Sequence, residues 1–308
     1  MKKRSQMILA IACMVLAAAG SASATLSIPL GAAGEYNLFT ISDAGNVNLV
    51  NSDSQGSVAI GGNATLSNYK VGSNLGSNGK LVVNGNLTWT NGEVGQGNGI
   101  IYAKTATLSG VTPDHIAPIA DSGVDFGAAA AYLTANSAYW GSLAATGETE
   151  NNWGDISLTG DNADLNIFNI IGSDLLGAHT LNINVTDGAT VLINVTGSTS
   201  GLTNMGYTLS GVDSAHILYN FFEAKDLDFY SVGIQGSVLA PQADVDFYSG
   251  NIDGQMVAYT LDDGGTGTTG QFHNKSFAGS LSPVPIPGTA WLLSIGMLWI
   301  SALIRKKA

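Results

Sequence analysis

The chain has 308 residues, 45% of them hydrophobic and only 11% charged, with 40 glycines and a formal net charge of −12. That balance suits a turn-rich β protein with a large core. It excludes a disulfide scaffold, because a single cysteine is present, and an acidic surface of this kind repels phosphate backbones, so nucleic acid is not a partner.

Lys2, Lys3 and Arg4 precede an apolar run from Met7 to Ala19 and then Ala22-Ser23-Ala24, which reads as a secretory signal (1–24) cut after Ala24 by signal peptidase. Cys13 lies inside that run, so the mature chain carries no thiol chemistry.

Beyond it, "GNATLSNYKVG" at 62–72 and "GNLTWTNGEVG" at 85–95 share Gly, Asn, Thr, Asn, Val and Gly at a spacing of twenty-three. From Gly123 to Thr146 the pattern changes. Phe126, Ala130, Leu133, Ser137, Trp140 and Ala144 fall on one face at helical spacing, with Asp121 or Ser122 to cap the start and Gly147 to end it. One amphipathic helix covering apolar surface is expected there. Strands follow at Leu181–Val185 and Val191–Val195, and Asp187-Gly188 between them is a hairpin signal or a coil corner.

"DLDFYS" at 226–231 returns as "DVDFYS" at 244–249, and Asp, Asp, Phe, Tyr, Ser, Ile, Gly and Ala recur over the whole period of eighteen residues. "NVNLVNSDSQGSV" at 46–58 aligns with "DLDFYSVGIQGSV" at 226–238, so early and late segments share one plan. A fixed period near twenty, with period-two alternation closed by Gly and Asn, is the signature of a solenoid whose units must stack to bury their apolar faces. A lap of that length has a contour of about 60 Å, enough for a small coil of short strands. The expected fold is an all-β β-helix with one long α-helix packed alongside, spanning 25–280. "DDGGTGTTG" at 262–270 reads as a mobile low-complexity loop, and its G-x-G-x-x-G spelling lacks the strand-then-helix context of a nucleotide site.

The last segment (281–308) joins a proline-rich break to an apolar stretch from Thr289 to Ile304 and then Arg305, Lys306 and Lys307. This reads as a membrane stop with a cytoplasmic basic end. As a helix it would span roughly 24 Å against a hydrocarbon core of about 30 Å, which fits a sorting tail better than a permanent anchor. Between the two ends remain five lysines against 23 acids, a formal charge of −18, and no arginine.

The chain resembles the choice-of-anchor A family of exported bacterial proteins through "YNLF" at 36–39, "GSVAIGGNATLSNY" at 56–69, "ILYNFFEA" at 217–224, "GSVLAPQADVDF", "GNIDGQ" and "QFHNKSF". Phe222 stands where that family usually has proline. The tail resembles a PEP-CTERM sorting signal in its "VPIP" form, Val284, Pro285, Ile286 and Pro287, with Ile286 where the name-giving glutamate would be. The resemblance implies cleavage near Pro283–Pro287 by an exosortase-type enzyme. It further implies a transient membrane anchor, delivery to the surface or extracellular matrix of a Gram-negative cell, and an adhesive role without a known ligand.

Stacked laps bring Asp226, Asp244 and Asp262 to one phase and Asp228 and Asp246 to another. Oxygen ligands from Asp226, Asp228, Asp244 and Asp246 suit Ca²⁺; the same acids otherwise make a solvated outer face, and no EF-hand or Gly-rich calcium repeat is present. Trp89, Tyr230 and Tyr248 are candidate outward aromatics for stacking on sugar rings. The four histidines are dispersed, without transition-metal spacing. A polysaccharide lyase on such a fold needs a strong base and cations, which five scattered lysines do not supply. The function expected is therefore non-enzymatic adhesion to exopolysaccharide or to like domains in a biofilm matrix. The alternatives are a polysaccharide hydrolase and ice binding, for which the threonines are too irregularly spaced to predict a flat ladder.

Overall fold

The computed structural model describes residues 29–284. The chain winds as a three-sided β-helix, and its first laps consist of β1 (Leu38–Thr40), β2 (Asn46–Ser54), β3 (Val58–Ile60), β4 (Asn63–Val71), β5 (Lys80–Val94), β6 (Ile100–Thr112) and β7 (Ala117–Pro118). Helix α1 (Phe126–Gly141) then leads to a hairpin of β8 (Glu148–Asn152) and β9 (Asp155–Thr159). The return laps are β10 (Leu165–Ile171), the short helix α2 (Gly172–Leu176), β11 (Thr180–Asn184), β12 (Thr190–Thr196), β13 (Thr199–Thr203) and β14 (Gly206–Ser210). They continue as β15 (Ile217–Asn220), β16 (Asp226–Tyr230), β17 (Gly233–Gln235), β18 (Ser237–Tyr248), β19 (Asn251–Asp253), β20 (Met256–Asp262) and β21 (Gln271–His273).

The first side stacks in parallel as β10-β12-β15-β18-β20-β1-β3-β5-β6-β7. The chain thus starts in the middle of the stack and winds to one end. It crosses back by way of α1 and winds again until it closes beside its own start. Leu38 is flanked by both Val58 and Met256, and Ser54 by Phe272. The second side holds β13-β16-β18-β20 and β2-β4-β5-β6 as two runs, long strands such as β5 turning a corner to serve two sides. On the third side β9, β11 and β14 form a separate sheet below β17-β19-β21-β2.

Strands of the first side are apolar on both faces, as the runs "LVV" and "VLIN" show. Leu38, Val58, Leu81 and Val191 point into the coil, whereas Phe39, Ala59, Val82, Leu192, Leu218, Leu239 and Val257 point outward into a second core. Helix α1 closes that second core. Its buried face is Phe126, Ala129, Leu133, Asn136, Ser137 and Trp140. The helix is shorter than expected at both ends. Asp121 and Ser122 belong to a preceding 3₁₀ turn stopped by Gly123 at φ 74°, and Asp125 caps α1 by accepting from Ala128 N. Ser142 ends it, and Gly147 is already packed against the Phe168 ring. Polar bonds fix the docked register: Ser137 Oγ donates to Asn220 Oδ1 (2.6 Å), Asn220 Nδ2 to Asn194 Oδ1 (2.9 Å) and Asn194 Nδ2 to the Trp140 carbonyl (2.8 Å).

Asp187-Gly188 is a coil corner, because β11 and β12 lie on different sides. The loop 262–270 is not a loose segment, which corrects the expectation. Asp263 is 3% exposed and accepts from Gly267 N (2.6 Å), Gly265 N (3.3 Å) and Asn48 Nδ2 (3.2 Å). Thr269 then exchanges bonds with Val50, N to O and N to Oγ1, at 2.9 Å each. The loop fills the gap on the second side where β20 and β2 do not pair. Among the described residues no helix is long and apolar enough to cross a membrane. The signal segment with Ala24, and the tail from Pro285, Ile286 and Pro287 to Arg305, Lys306 and Lys307, lie outside the described residues.

Candidate functional site

The upper run of the second side is a flat grid. Alternation turns Val47, Leu49, Ala64, Leu66, Leu87 and Trp89 into the core, so the intervening residues face out. Three rows result from the parallel register: Asn46, Asn63, Asn86 and Thr105; Asn48, Thr65, Thr88 and Thr107; and Val50, Ser67, Thr90 and Ser109. Neighbouring laps are about 4.8 Å apart. Thr105 Oγ1 donates to Asn86 Oδ1 (2.6 Å) and Asn86 N to Asn63 Oδ1 (2.9 Å), which orders the first row. No position of the grid is charged. The threonines therefore do form a ladder, contrary to the expectation from their spacing. Successive members of the middle row are 17, 23 and 19 residues apart, because the extra residues are absorbed at corners such as the 3₁₀ turns Gly76–Asn78 and Gly95–Gly97.

The grid ends at a corner built from left-handed residues. Asn51, Asn68 and Asn91 have φ of 49°, 49° and 55°, and Asn204, Ser231 and Ser249 repeat that conformation in the return laps. Asparagine tolerates this region better than other side chains. Asn91 Nδ2 donates to Asn68 Oδ1 (3.2 Å), Asn68 Nδ2 to Asn51 Oδ1 (2.8 Å) and Asn51 Nδ2 to the Gly267 carbonyl (2.7 Å), a continuous amide ladder. Beside it runs an open groove of about 590 Å³, lined also by Asp53, Lys70 and Glu93. Lys70 and Glu93 pair at 2.9 Å, and that bond holds the lysine above its ordinary range. Asn68 and Asn91 are the second asparagine shared by the segments at 62–72 and 85–95, and Asn51 extends that repeat to a third lap.

The lower run carries the acids. Asp226 pairs with Asp244, Asp228 with Asp246, and Tyr230 with Tyr248. Asp262 joins the other row than expected: it stands beside Asp246, and Thr260 stands beside Asp244, because β18 and β20 slip register after Ala240. Thr260 Oγ1 donates to Asp244 Oδ1 (2.6 Å). Burial first, then the charges of Asp228, Asp263, Asp244 and Asp226, push Asp246 above the ordinary carboxylate range. The four candidate calcium ligands do line one shallow depression of about 290 Å³. They stand in it as side-by-side pairs, with the two rows two residues apart along each strand, rather than converging on a point. Among the described residues no group of three or more Asp, Glu, His or Cys side chains is arranged to hold a metal ion.

The aromatic candidates divide. Tyr230 is 37% exposed and stacks on half-buried Tyr248 with ring centroids 4.8 Å apart. Trp89 is fully buried, which corrects its assignment as an outward ring. It shares the phase of Leu87 in β5 and lies beside Leu66 one lap away, so alternation sends it inward. His216 bonds Asp213 at 2.7 Å and His273 bonds Asp253, each at a separate place on the coil.

The profile of a family described as "Putative Ice-binding-like adhesive domain" matches residues 29–274. No curated protein matches the chain. Among solved structures, it is similar to the crystal structure of an ice-binding protein from an Antarctic ascomycete, Antarctomyces psychrotrophicus. The TM-score is 0.34 and the identity 10%, over 82% of this chain and 98% of that one.

Proposed function

The chain belongs to the ice-binding-like adhesive domain family, and from that premise we propose that it is an exported, non-enzymatic adhesive whose Thr, Ser and Asn grid docks onto matrix polysaccharide. The observation that carries this reading is the grid itself: uncharged, hydroxyl- or amide-bearing at every position but Val50, and repeated lap by lap over a packed core. A rigid flat face loses little side-chain entropy on meeting an extended repeating polymer, so many weak hydrogen bonds add up. The paired acids of β16 and β18 lie on the other run of the same side, so no carboxylate stands within the grid itself.

Ice is the second reading, favoured by the Thr65-Thr88-Thr107 row, in which each side chain offers a methyl and a hydroxyl at one lap spacing. Export by residues 1–24 and exosortase-type processing of the tail complete the proposal. The Trp140 Nε1 bond to the Ser282 carbonyl (2.7 Å) and the Val284 N bond to Asn136 Oδ1 (2.8 Å) dock the chain on α1 as far as the first residue of "VPIP".

The test is retention of the full-length protein on insoluble exopolysaccharide from its host, beside thermal hysteresis in the same buffer, for wild type and Thr88→Tyr. Thr88 is exposed, so the substitution leaves the fold intact while lifting the face off a flat partner. Retention that falls about tenfold, or more, supports the grid. Hysteresis without retention selects ice. Retention unchanged in the variant refutes the grid as the adhesive face.

A further inference from the structure

Trp153 is 98% exposed, the most exposed large apolar side chain among the described residues. It occupies the two-residue turn between β8 and β9, where Asn152 pairs with Asp155, at φ 59°, followed by Gly154 at φ 94°. Such turns take Asn, Asp or Gly at the first position, because a left-handed backbone strains any bulky side chain. Trp153 therefore neither buries area nor suits its turn, and folding alone does not account for it.

The tip is stiff. Gly154 N donates to Asn151 Oδ1 (2.9 Å), and the Gly154 carbonyl accepts from His179 N (2.7 Å) and Thr180 N (3.3 Å) of the next lap. Polar groups flank the ring. Asp155 holds Thr180 Oγ1 at 2.9 Å, and Asn152 and His179 are exposed beside it. From 147 to 176 the chain has six acids and no Lys or Arg, so this end repels phosphate headgroups and acidic sugars. A free indole face carried on a fixed backbone tip, with amide, hydroxyl and imidazole groups on the neighbouring residues, matches the apolar face and equatorial hydroxyls of a neutral hexose.

The geometry points to Trp153 as a second, point-like contact for a neutral glycan, separate from the grid. The hairpin lies at the opposite end of the stack from β5 and β6, five to eight laps from the grid strands, or roughly 24–38 Å at about 4.8 Å per lap. One rigid domain would then hold two chains and cross-link them, a gain in avidity that neither contact has alone. The cross-link rests on the grid being adhesive, whereas the Trp153 contact does not.

The experiment titrates full-length wild type, Trp153→Asn and Trp153→Tyr with cellohexaose and with oligogalacturonate by calorimetry, and reads acrylamide quenching of tryptophan fluorescence in wild type. Trp153→Asn keeps Trp89, Trp140, Trp291 and Trp299, so it is the blank that isolates the Trp153 signal. Protection of wild type by cellohexaose but not by the acidic oligomer is expected, with a calorimetric affinity that falls about tenfold or more in Trp153→Asn and less in Trp153→Tyr. The Asn variant should melt no lower than wild type, since Asn fits the turn. No protection by cellohexaose overturns the proposal, as does a melting temperature that drops in Trp153→Asn, which would make the ring structural. Sedimentation showing self-association that vanishes in the variant, without a glycan effect, would assign the tip to a second copy instead. Thr88→Tyr leaves this titration unchanged, so its outcome is distinct from that of the grid.

Discussion

Gln255 sits where the returning laps meet the first ones, and Gln255→Ala should open that seam. The side chain is 2% exposed. Its Nε2 donates to the Gly34 carbonyl (2.7 Å) and the Tyr36 carbonyl (2.9 Å), ahead of β1, and its Oε1 accepts from Phe277 N (2.9 Å), beyond β21. Three bonds at about 1 kcal/mol each are lost, and two carbonyls and one amide are left buried without that partner, so the loss should be about 3–5 kcal/mol. That is a large share of a stability of roughly 5–15 kcal/mol. Urea unfolding of the purified protein gives the free energy, and hydrogen exchange gives the place. The Phe277 amide and the β1–β20 ladder should lose protection before the grid strands β4 and β5. Gln255→Leu keeps the volume and should cost nearly as much, because the deserted polar groups remain. A loss below about 1 kcal/mol in both variants, or unchanged protection of Phe277, would refute the claim that this residue ties the two halves together.

Asn68→Ala should cost about 1–2 kcal/mol, from left-handed strain and a broken amide ladder, and Asn68→Gly distinctly less; urea midpoints of the two variants decide it. Asp246 is held above the ordinary aspartate range, so the folded state keeps its proton to higher pH than the unfolded chain. The group's contribution to stability therefore falls as pH rises through that window and is unfavourable at neutral pH. Asp246→Asn should raise the urea midpoint near pH 7 and leave it unchanged near pH 3, and a lower midpoint near pH 7 would reverse the sign of the argument. Chelator should leave the melting temperature unchanged, because the acids of β16 and β18 stand in paired rows; a clear drop would mean that they close on a cation.

Much of the architecture was legible in the linear chain. The eighteen-residue echo of "DLDFYS" is the pairing of β16 with β18, and the twenty-three-residue echo at 62–95 is that of β4 with β5. Phe126, Leu133, Ser137 and Trp140 are the buried stripe of α1. Such features are local: period-two alternation, helical spacing and repeated corners act within one lap or one helix, and each survives whatever the rest of the chain does. The site was less legible. Trp89 reads as an outward ring by its residue type although its own strand's phase places it inside, and Trp153 sits in a polar run with no apolar partner at strand spacing to mark it.

By itself, then, the sequence determined that the chain coils, how long its laps are and which segment breaks away as a helix. Only the tertiary structure decided that the coil begins in its own middle, that unequal laps align Thr65, Thr88 and Thr107 into one row, and that Asp262 joins Asp246 rather than Asp244. The physical reason is that stacking register is set by hydrogen bonds between laps and by burial of inward side chains. The residues that adjust it lie in corners, where insertions add nothing to any periodic pattern. The seam that closes the coil joins strands more than two hundred residues apart, Leu38 beside Met256, and a contact of that range leaves no trace in the local sequence.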